Sequence, residues 1–166
     1  MNEVALARAI EALVIQDVYL HDLRLAPAHG FEPRAHAQGS VNFSWGARNA
    51  DMIEAVNDAN GELAARFWRV YFETRCRILK IVAEDLKEGV QPNDEDVLCV
   101  IEATFVADYL MTSNVDEEAL QEFASKNVSY HVWPYWRELL HDVAGRMRLP
   151  TITLPFHRVA PSPPTK

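Results

Sequence analysis

Three side chains near the carboxyl end have the types and the spacing that acid–base catalysis uses. Glu138, His141 and Asp142 stand at i, i+3 and i+4, so a helix would bring them to one face. An imidazole beside two carboxylates can transfer protons near neutral pH. That face lies opposite an apolar stripe, however, and a solvated polar face is the simpler interpretation. The sequence therefore predicts no catalytic residue here.

The other residues that could carry chemistry form no recognisable site. The sequence has no Gly-rich phosphate loop, no Gly-x-Ser-x-Gly and no HExxH. Cys76 and Cys99 lie in apolar runs without CxxC spacing, which predicts buried free thiols. The six histidines are scattered and show no metal-ligand spacing: His21, His29, His36, His131, His141 and His157. We expect no metal, no cofactor and no enzymatic activity.

Composition narrows the class of protein. A chain of 166 residues is long enough for one domain with its own core. Its 24 acidic and 16 basic residues give a formal charge of −8, which argues against nucleic-acid binding. No basic segment followed by an apolar run opens the chain, and no apolar stretch approaches the roughly 20 residues of a membrane span. We expect a cytoplasmic protein that does not insert into membranes.

The carboxyl-terminal third predicts an amphipathic helix followed by an apolar arm. Pro134 suits the first turn of a helix, and Pro150 marks its end. Between them one apolar stripe recurs at helical spacing: Trp136, Leu140, Val143 and Met147. The arm then places Leu149, Ile152 and Leu154 among threonines and prolines. The apolar surfaces of this arm and this helix must be covered, either by a partner chain or by a bound polypeptide.

The rest of the chain predicts strands before helices. Strands are expected at 13–25, 41–45, 68–78 and 97–111, and the third alternates apolar and charged residues with a period of two. Residues 1–12 form a short helix or an arm, 50–56 are faintly helical, and Asn114 is expected to cap a helix that runs to about Lys126. The fold class is α+β, a four-stranded antiparallel sheet with C-terminal helices packed on one face. The domain spans 13–159, and a proline-rich tail, 160–166, follows it.

The C-terminal pattern resembles that of the SecB family of export chaperones. The quoted residues are the acidic helix 116–120, then Trp133-Pro134-Tyr135-Trp136-Arg137-Glu138, then Arg146, then Pro150-Thr151-Ile152-Thr153-Leu154. The segment 14–23 also looks like the family's first strand, whereas the match between these regions is patchy. The chain is identified as a divergent, SecB-like member.

The resemblance implies a binding groove and a function. Val41, Phe43 and Trp45 alternate along the second strand, which by itself indicates an ordinary core face. The resemblance implies instead that they line a groove together with Leu149, Ile152 and Leu154. Unfolded client segments would lie there, held without ATP, so the chain would be a holdase. The expected clients are unfolded preproteins in export or, alternatively, an antitoxin of a toxin–antitoxin system. The family likeness further implies a homotetramer, a dimer of dimers built through the fourth-strand edge and the long helix.

Two departures from the family and one other class of protein bear on this expectation. The motor protein SecA docks on acidic residues of the family's exposed sheet, and of these positions only Asp22 matches; Glu102 is one residue out of register. The helix that normally follows the arm is missing, because 156–159 run into the proline tail. A small cone-shaped enzyme or ligand-binding domain like nuclear transport factor 2 is the further alternative, although such domains begin with helices and finish with strands. A deep enclosed pocket would favour that class, and a long open groove the chaperone.

Overall fold

The computed structural model describes residues 2–33, 40–80, 94–149, 152 and 154. Three helices and four strands account for most of these residues, and a single turn of 3-10 helix, Asp94–Asp96, precedes the last strand. In chain order the elements are α1 (Glu3–Ala12), β1 (Leu13–Pro27), β2 (Ser40–Val56), β3 (Leu63–Leu79), β4 (Val97–Met111), α2 (Glu117–Lys126) and α3 (Val128–Arg146).

The four strands form one antiparallel sheet in the order β1-β4-β3-β2. The period of two on β3 gives the strand a buried and an exposed side. Val70 and Phe72 are buried, whereas Glu73 and Arg75 are exposed. We call the face that carries Val70 and Phe72 the inner face, and the opposite face the outer face. The predicted α+β fold, a four-stranded antiparallel sheet with C-terminal helices, is confirmed.

The helices cover the middle of the inner face. The predicted stripe of α3 is buried at Trp136 and Leu140, and the ring of Trp136 meets Phe105 of β4 edge-on at 6.4 Å between centroids. Phe123 of α2 packs in the same way on Tyr109, 5.1 Å away. Burial of these rings helps to hold the helices on the sheet.

Helix α3 differs from the prediction at both ends. It begins at Val128, so Pro134 lies inside the helix rather than opening it. A proline at an interior position removes one backbone hydrogen bond and costs about 3 kcal/mol. Burial of Val128 and Val132 on the core offsets that cost and extends the helix toward its amino end. At the other end the helix stops at Arg146, before Pro150, and Arg148 takes a left-handed conformation with φ 54°.

Two further local predictions are wrong. Residues 50–56 continue β2, because Met52 and its neighbours pair with β3 opposite Trp68, and this pairing overrides a weak helical propensity. Helix α2 is capped by Asp116, whose carboxylate accepts a hydrogen bond from the backbone N–H of Ala119 at 3.0 Å. Asn114 instead accepts a bond from Arg66.

The sheet order also corrects the expected mode of assembly. Strand β4 lies between β1 and β3 and is hydrogen-bonded on both sides, so it has no free edge for a second copy. Within the described residues, the strands at the borders of the sheet are β1 and β2. Among the described strands, edge-to-edge pairing with a second copy would use β1 or β2.

The remaining predictions on the organisation of the chain have mixed outcomes. The first residues form a helix, α1, which packs on α2, and its Ala5 and Ala9 are buried. Cys76 and Cys99 are buried free thiols, as predicted. The proline-rich tail, 160–166, and the segment 156–159 lie outside the described residues.

Candidate functional site

The inner face of β2 carries a row of large apolar side chains that the helices leave partly open. Val41 is 37% exposed and Trp45 is 45% exposed, whereas Phe43 is half-buried against the core. The β3 residues that pair with them are buried: Thr74, Cys76 and Ile78. The difference arises because α3 packs on β3 and β4, and β2 lies at the border of the sheet beyond them.

Trp45 and Trp133 join this row to the helix. Their rings lie edge to face, with centroids 4.9 Å apart and an interplanar angle of 70°. Trp133 is 6% exposed and belongs to the core, so it supports Trp45 from within. A large flat ring held in this way offers apolar surface to a partner with little rotamer freedom left to lose.

The row continues beyond the residues expected from the sequence. Met52 and Val56 of β2 and Leu63 of β3 are about half exposed at the far end of the β2–β3 hairpin. Sequence reasoning missed Met52 because 50–56 were interpreted as helical. The alternation of Ala50 and Met52 with Asp51 was the signal that could have revealed the strand.

The arm after α3 places its apolar side chains inward. Leu149, Ile152 and Leu154 are at most 8% exposed and belong to the hydrophobic core of the single chain. The backbone N–H of Leu149 donates to Ala144 at 2.9 Å, which ties the start of the arm to the last turn of α3. These three side chains are thus packed in the core, and their role as a wall of a client groove remains a prediction.

The outer face carries many polar residues, and several of its charges are paired. A half-open trough of about 430 Å³ crosses all four strands there, and Asp22 is one of its lining residues. Arg75 and Arg24 both approach the carboxylate of Glu102, at 2.6 and 3.6 Å. On the same face Arg48 pairs with Glu73 at 2.6 Å, and Arg69 makes two 2.8 Å bonds to Asp108. Arginine therefore offsets the acidic residues of this face, which is not a continuous acidic surface.

One partly buried polar pair links the sheet to the helices. The Tyr109 hydroxyl lies 2.9 Å from Nδ1 of His131, and the His131 ring stacks near Phe123. Burial lowers the pKa of His131 and raises the pKa of Tyr109, so the phenol donates and the neutral imidazole accepts. The hydrogen bond joins β4 to α3, and the rings of Trp68 and Phe123 lie beside it. We interpret the pair as structural.

The groups considered first for catalysis do not form a site. Glu138, His141 and Asp142 are exposed, and Asp142 accepts a 2.8 Å hydrogen bond from Arg146. Burial raises the pKa of Cys76 to about 12, which keeps this thiol protonated and unreactive. Across the described part of the chain, no group of three or more His, Cys, Asp or Glu residues could hold a metal ion. No described helix is long and apolar enough to cross a membrane.

Comparison with known proteins shows what the chain is similar to. No family model matches it. Two curated relatives from Mycobacterium tuberculosis match part of it: SecB-like chaperone Rv1957 of strain H37Rv is 32% identical over 76 residues, and SecB-like chaperone MT2006 of strain CDC 1551 is 32% identical over 75 residues. The matched segment covers 43% of this chain and 42% of Rv1957, and 42% of this chain and 41% of MT2006, so the chain spans about two fifths of the length of these relatives.

A solved structure shares the fold over almost the whole chain. It is Mycobacterium tuberculosis Rv1957 SecB-like chaperone in complex with a ChAD peptide from the Rv1956 HigA1 antitoxin. The TM-score is 0.60 at 18% identity, and the match covers 93% of this chain and 98% of that one. The chain thus shares the fold of this SecB-like chaperone, and part of it is similar in sequence to two SecB-like chaperones.

Proposed function

We propose that this chain is a chaperone that binds unstructured polypeptide segments without ATP, and that its physiological client is the antitoxin of a toxin–antitoxin pair. The observation that carries the proposal is the partly exposed inner row of β2, with Trp45 supported by Trp133. The choice of client is supported by the solved relative, which is in complex with an antitoxin peptide. The client-binding residues proposed are Val41, Phe43 and Trp45, with Leu149, Ile152 and Leu154 behind them.

The physical basis of binding is burial of apolar surface. A non-native segment exposes apolar side chains, and their transfer to this row gains about 25 cal/mol for each Å² removed from water. Many weak contacts of this kind tolerate different sequences, as a holdase requires. This mode of binding needs no nucleotide hydrolysis. A client binds while its apolar side chains are exposed, and it is released when they are buried elsewhere. The buried free thiols Cys76 and Cys99 suit a reducing compartment, and we place the protein in the cytoplasm.

Export of preproteins through SecA is the less favoured role. Docking on the sheet would require acidic groups that are available to a basic partner. Glu102 is held between two arginines on the outer face, and Glu73 is held by a third. Asp22 is then the one position left that matches the acidic residues on which SecA docks in the family. We therefore rank the antitoxin client above preproteins.

Assembly is part of the same proposal. We propose a homotetramer, as in the family, in which the inner face of β1 contacts another copy. Three leucines of that face are between 36% and 42% exposed in the single chain: Leu20, Leu23 and Leu25. Their partners on β4 are buried inner-face residues, so these leucines continue the core outward past the helices.

The test compares two faces of one strand. Val41→Asp/Trp45→Asp places two charges on the inner row, and Asn42→Asp/Ser44→Asp places the same two charges on the opposite face of β2. We expect the wild type and the Asn42/Ser44 variant to suppress aggregation of a denatured protein at stoichiometric ratio. The Val41/Trp45 variant should lose this activity at least tenfold, since charges desolvate poorly in an apolar contact.

Client identity needs a second measurement on the same proteins. A labelled ChAD peptide of HigA1 should bind the wild type and the Asn42/Ser44 variant, with fluorescence anisotropy as the readout. Circular dichroism and thermal melting establish that both variants remain folded. A wild-type chain that neither suppresses aggregation nor binds the peptide would refute the proposed function. Suppression of aggregation without peptide binding would refute the antitoxin as client and leave the holdase.

A further inference from the structure

The first turn of α3 lacks two of the hydrogen bonds that hold many helix starts in place. Asn127 precedes it without making a side-chain cap bond. Pro134, inside the helix, has no N–H to donate to the carbonyl of Tyr130. The side chains of residues 128–133 therefore have a large part in orienting this turn on the sheet.

Three consecutive side chains of that turn point in three directions. Val132 is fully buried in the core. Successive residues of a helix are rotated by about 100°, so His131 and Trp133 lie on opposite flanks of Val132. On one flank His131 bonds Tyr109 of β4, and on the other Trp133 packs on Trp45 of β2. The two flanking contacts together fix the rotation of the helix about its axis.

The contact on the first flank depends on protonation. With a neutral imidazole, the Tyr109 hydroxyl donates to Nδ1 of His131 at 2.9 Å. A protonated Nδ1 carries its own hydrogen and cannot accept, so the buried phenol would lose its acceptor. The imidazolium would also gain hydration by turning toward water, and the ring is only partly buried. Protonation therefore favours release of this flank.

The described hydrogen-bond and ring contacts of His131 are all with aromatic side chains. Tyr109 is the titratable one, and Phe123 of α2 stacks on the imidazole. On α3 itself Tyr135 follows one turn later and is 45% exposed. Burial lowers the pKa of His131, and among the described residues no charged group of α2, β3 or β4 adds to that effect. A charge on this ring would thus have no carboxylate to pair with there.

We propose that the Tyr109–His131 hydrogen bond positions Trp133 against Trp45, and that protonation of His131 weakens the inner row of β2 as a binding surface. Tyr109 and His131 are positioning residues, since they act on Trp45 through Trp133. The consequence for the client rests on the proposed function, whereas the consequence for Trp45 does not. Because the pKa of His131 lies below 6.5, the weakening is expected in mild acid.

The first measurement follows Trp45 and needs no client. The full chain is labelled with fluorotryptophan, and the fluorine NMR signal of Trp45, one of four tryptophans, is assigned with Trp45→Phe. In the wild type this signal should shift as the pH falls from about 7.5 to 5.0, the range in which histidine titrates. Tyr109→Phe keeps the ring and removes the hydroxyl, so it should shift the signal already at about pH 7.5.

Two further variants separate the hydrogen bond from a general loss of stability. Asparagine has its amide oxygen where histidine has Nδ1, so His131→Asn keeps an acceptor for Tyr109 but cannot titrate. The signal of Trp45 should then match the wild type at about pH 7.5 and lose its response to acid. Thr112→Val removes another hydroxyl bond, 3.1 Å long, to the carbonyl of Ala12, and should leave Trp45 unchanged. Thermal melting establishes that each variant is folded.

The second measurement is the affinity for the labelled ChAD peptide of HigA1, read by fluorescence anisotropy. Between about pH 7.5 and 5.0 the wild type should lose about three- to tenfold in affinity, the ratio that corresponds to one net hydrogen bond. Tyr109→Phe should show a similar loss at neutral pH. His131→Asn should change by less than about twofold over the same range, which also corrects for titration of the peptide.

Three outcomes would overturn the proposal. An unchanged Trp45 signal in Tyr109→Phe would show that the bond does not position the ring pair. An equal shift in Thr112→Val would attribute the change to lower stability, and an acid response retained in His131→Asn would assign it to another group. If Tyr109→Phe does not fold, the titrations of the wild type and His131→Asn decide. Absence of peptide binding together with the expected Trp45 shifts would refute the antitoxin as client and leave the positioning role intact.

Discussion

At the scale of the residue, position within the sheet decides how each apolar side chain can act. Phe72 on β3 is buried beneath the helices, whereas Trp45 on the neighbouring strand keeps almost half of its surface open. Both alternate with polar residues in the same way along their strands. Exposure, rather than residue type, makes Trp45 available to a partner.

The His131–Tyr109 pair predicts a loss of stability in mild acid. Burial lowers the pKa of His131 below 6.5 in the folded state, so the unfolded chain binds the proton more readily. The free energy of unfolding should therefore decrease as the pH falls from about 6.5 toward the folded-state pKa. Urea denaturation between pH 7.5 and 5.0 measures this slope, and His131→Gln should reduce it relative to the wild type. An unchanged slope in His131→Gln would exclude His131 as its source.

The cap of α2 gives a second prediction at this scale. Asp116→Ala should cost about 1 kcal/mol, because it leaves the Ala119 N–H without its acceptor at the start of the helix. Asn114→Ala is the matched control, two residues away, and should cost less, since Asn114 makes an exposed bond to Arg66. Urea denaturation of both variants provides the comparison. A larger loss for Asn114→Ala would mean that the cap is assigned to the wrong residue.

At the scale of the element, the arm after α3 is the segment with two possible roles. Its apolar side chains are buried in the core of the single chain, yet the family likeness assigns them to the wall of a client groove. A segment that is loosely held could serve both roles, and a tightly packed one could serve only the first. Its contribution to stability therefore distinguishes the two.

Leu154→Ala tests the packing of the arm. Leu154 is 3% exposed, and removal of a buried leucine side chain costs about 2 to 5 kcal/mol. We expect a loss near the lower limit, since the arm is a short peripheral segment, with thermal melting as the measurement. Val4→Ala, at a 71% exposed position of α1, is the control and should have little effect. An unchanged melting temperature together with weaker client binding would instead favour the groove wall.

At the scale of the whole molecule, the helices cover the middle of the inner face and leave apolar rows uncovered on either side. One row lies on β1 and the other on β2. Large exposed apolar surfaces commonly mark contacts with other chains. We propose that the β1 row serves assembly and that the β2 row binds the client, because Trp45 of the β2 row is held by Trp133 of α3.

The assembly proposal predicts a particle of four 18.8 kDa chains in light scattering at micromolar concentration. Leu20→Lys/Leu25→Lys should shift it to smaller species, because charges on the inner row of β1 prevent apolar contact. Gln16→Lys/Tyr19→Lys adds the same charge to β1 while sparing both leucines. A monomer in the wild type would contradict the tetramer, and an equal effect of both variants would contradict the choice of the leucine row.

The sequence by itself determined the features that depend on local pattern. The period of two on β3 specified its buried and exposed faces, and the spacing of Trp136 and Leu140 specified the inner stripe of α3. The C-terminal pattern indicated the SecB-like family, which the comparisons support. Alternation alone indicated a core face for Val41 and Trp45, and only the resemblance assigned them to a client groove, because alternation does not distinguish an open strand from a buried one.

Tertiary structure decided the features that depend on residues far apart in the chain. Pairing with β3 turned 50–56 into strand, and burial of Val128 extended α3 through Pro134, each against the local preference of the sequence. The order of the strands placed β4 inside the sheet and β2 at its border. That order decides which strands lie at the borders of the sheet and which apolar side chains stay exposed, because exposure results from how the layers stack and not from any single segment.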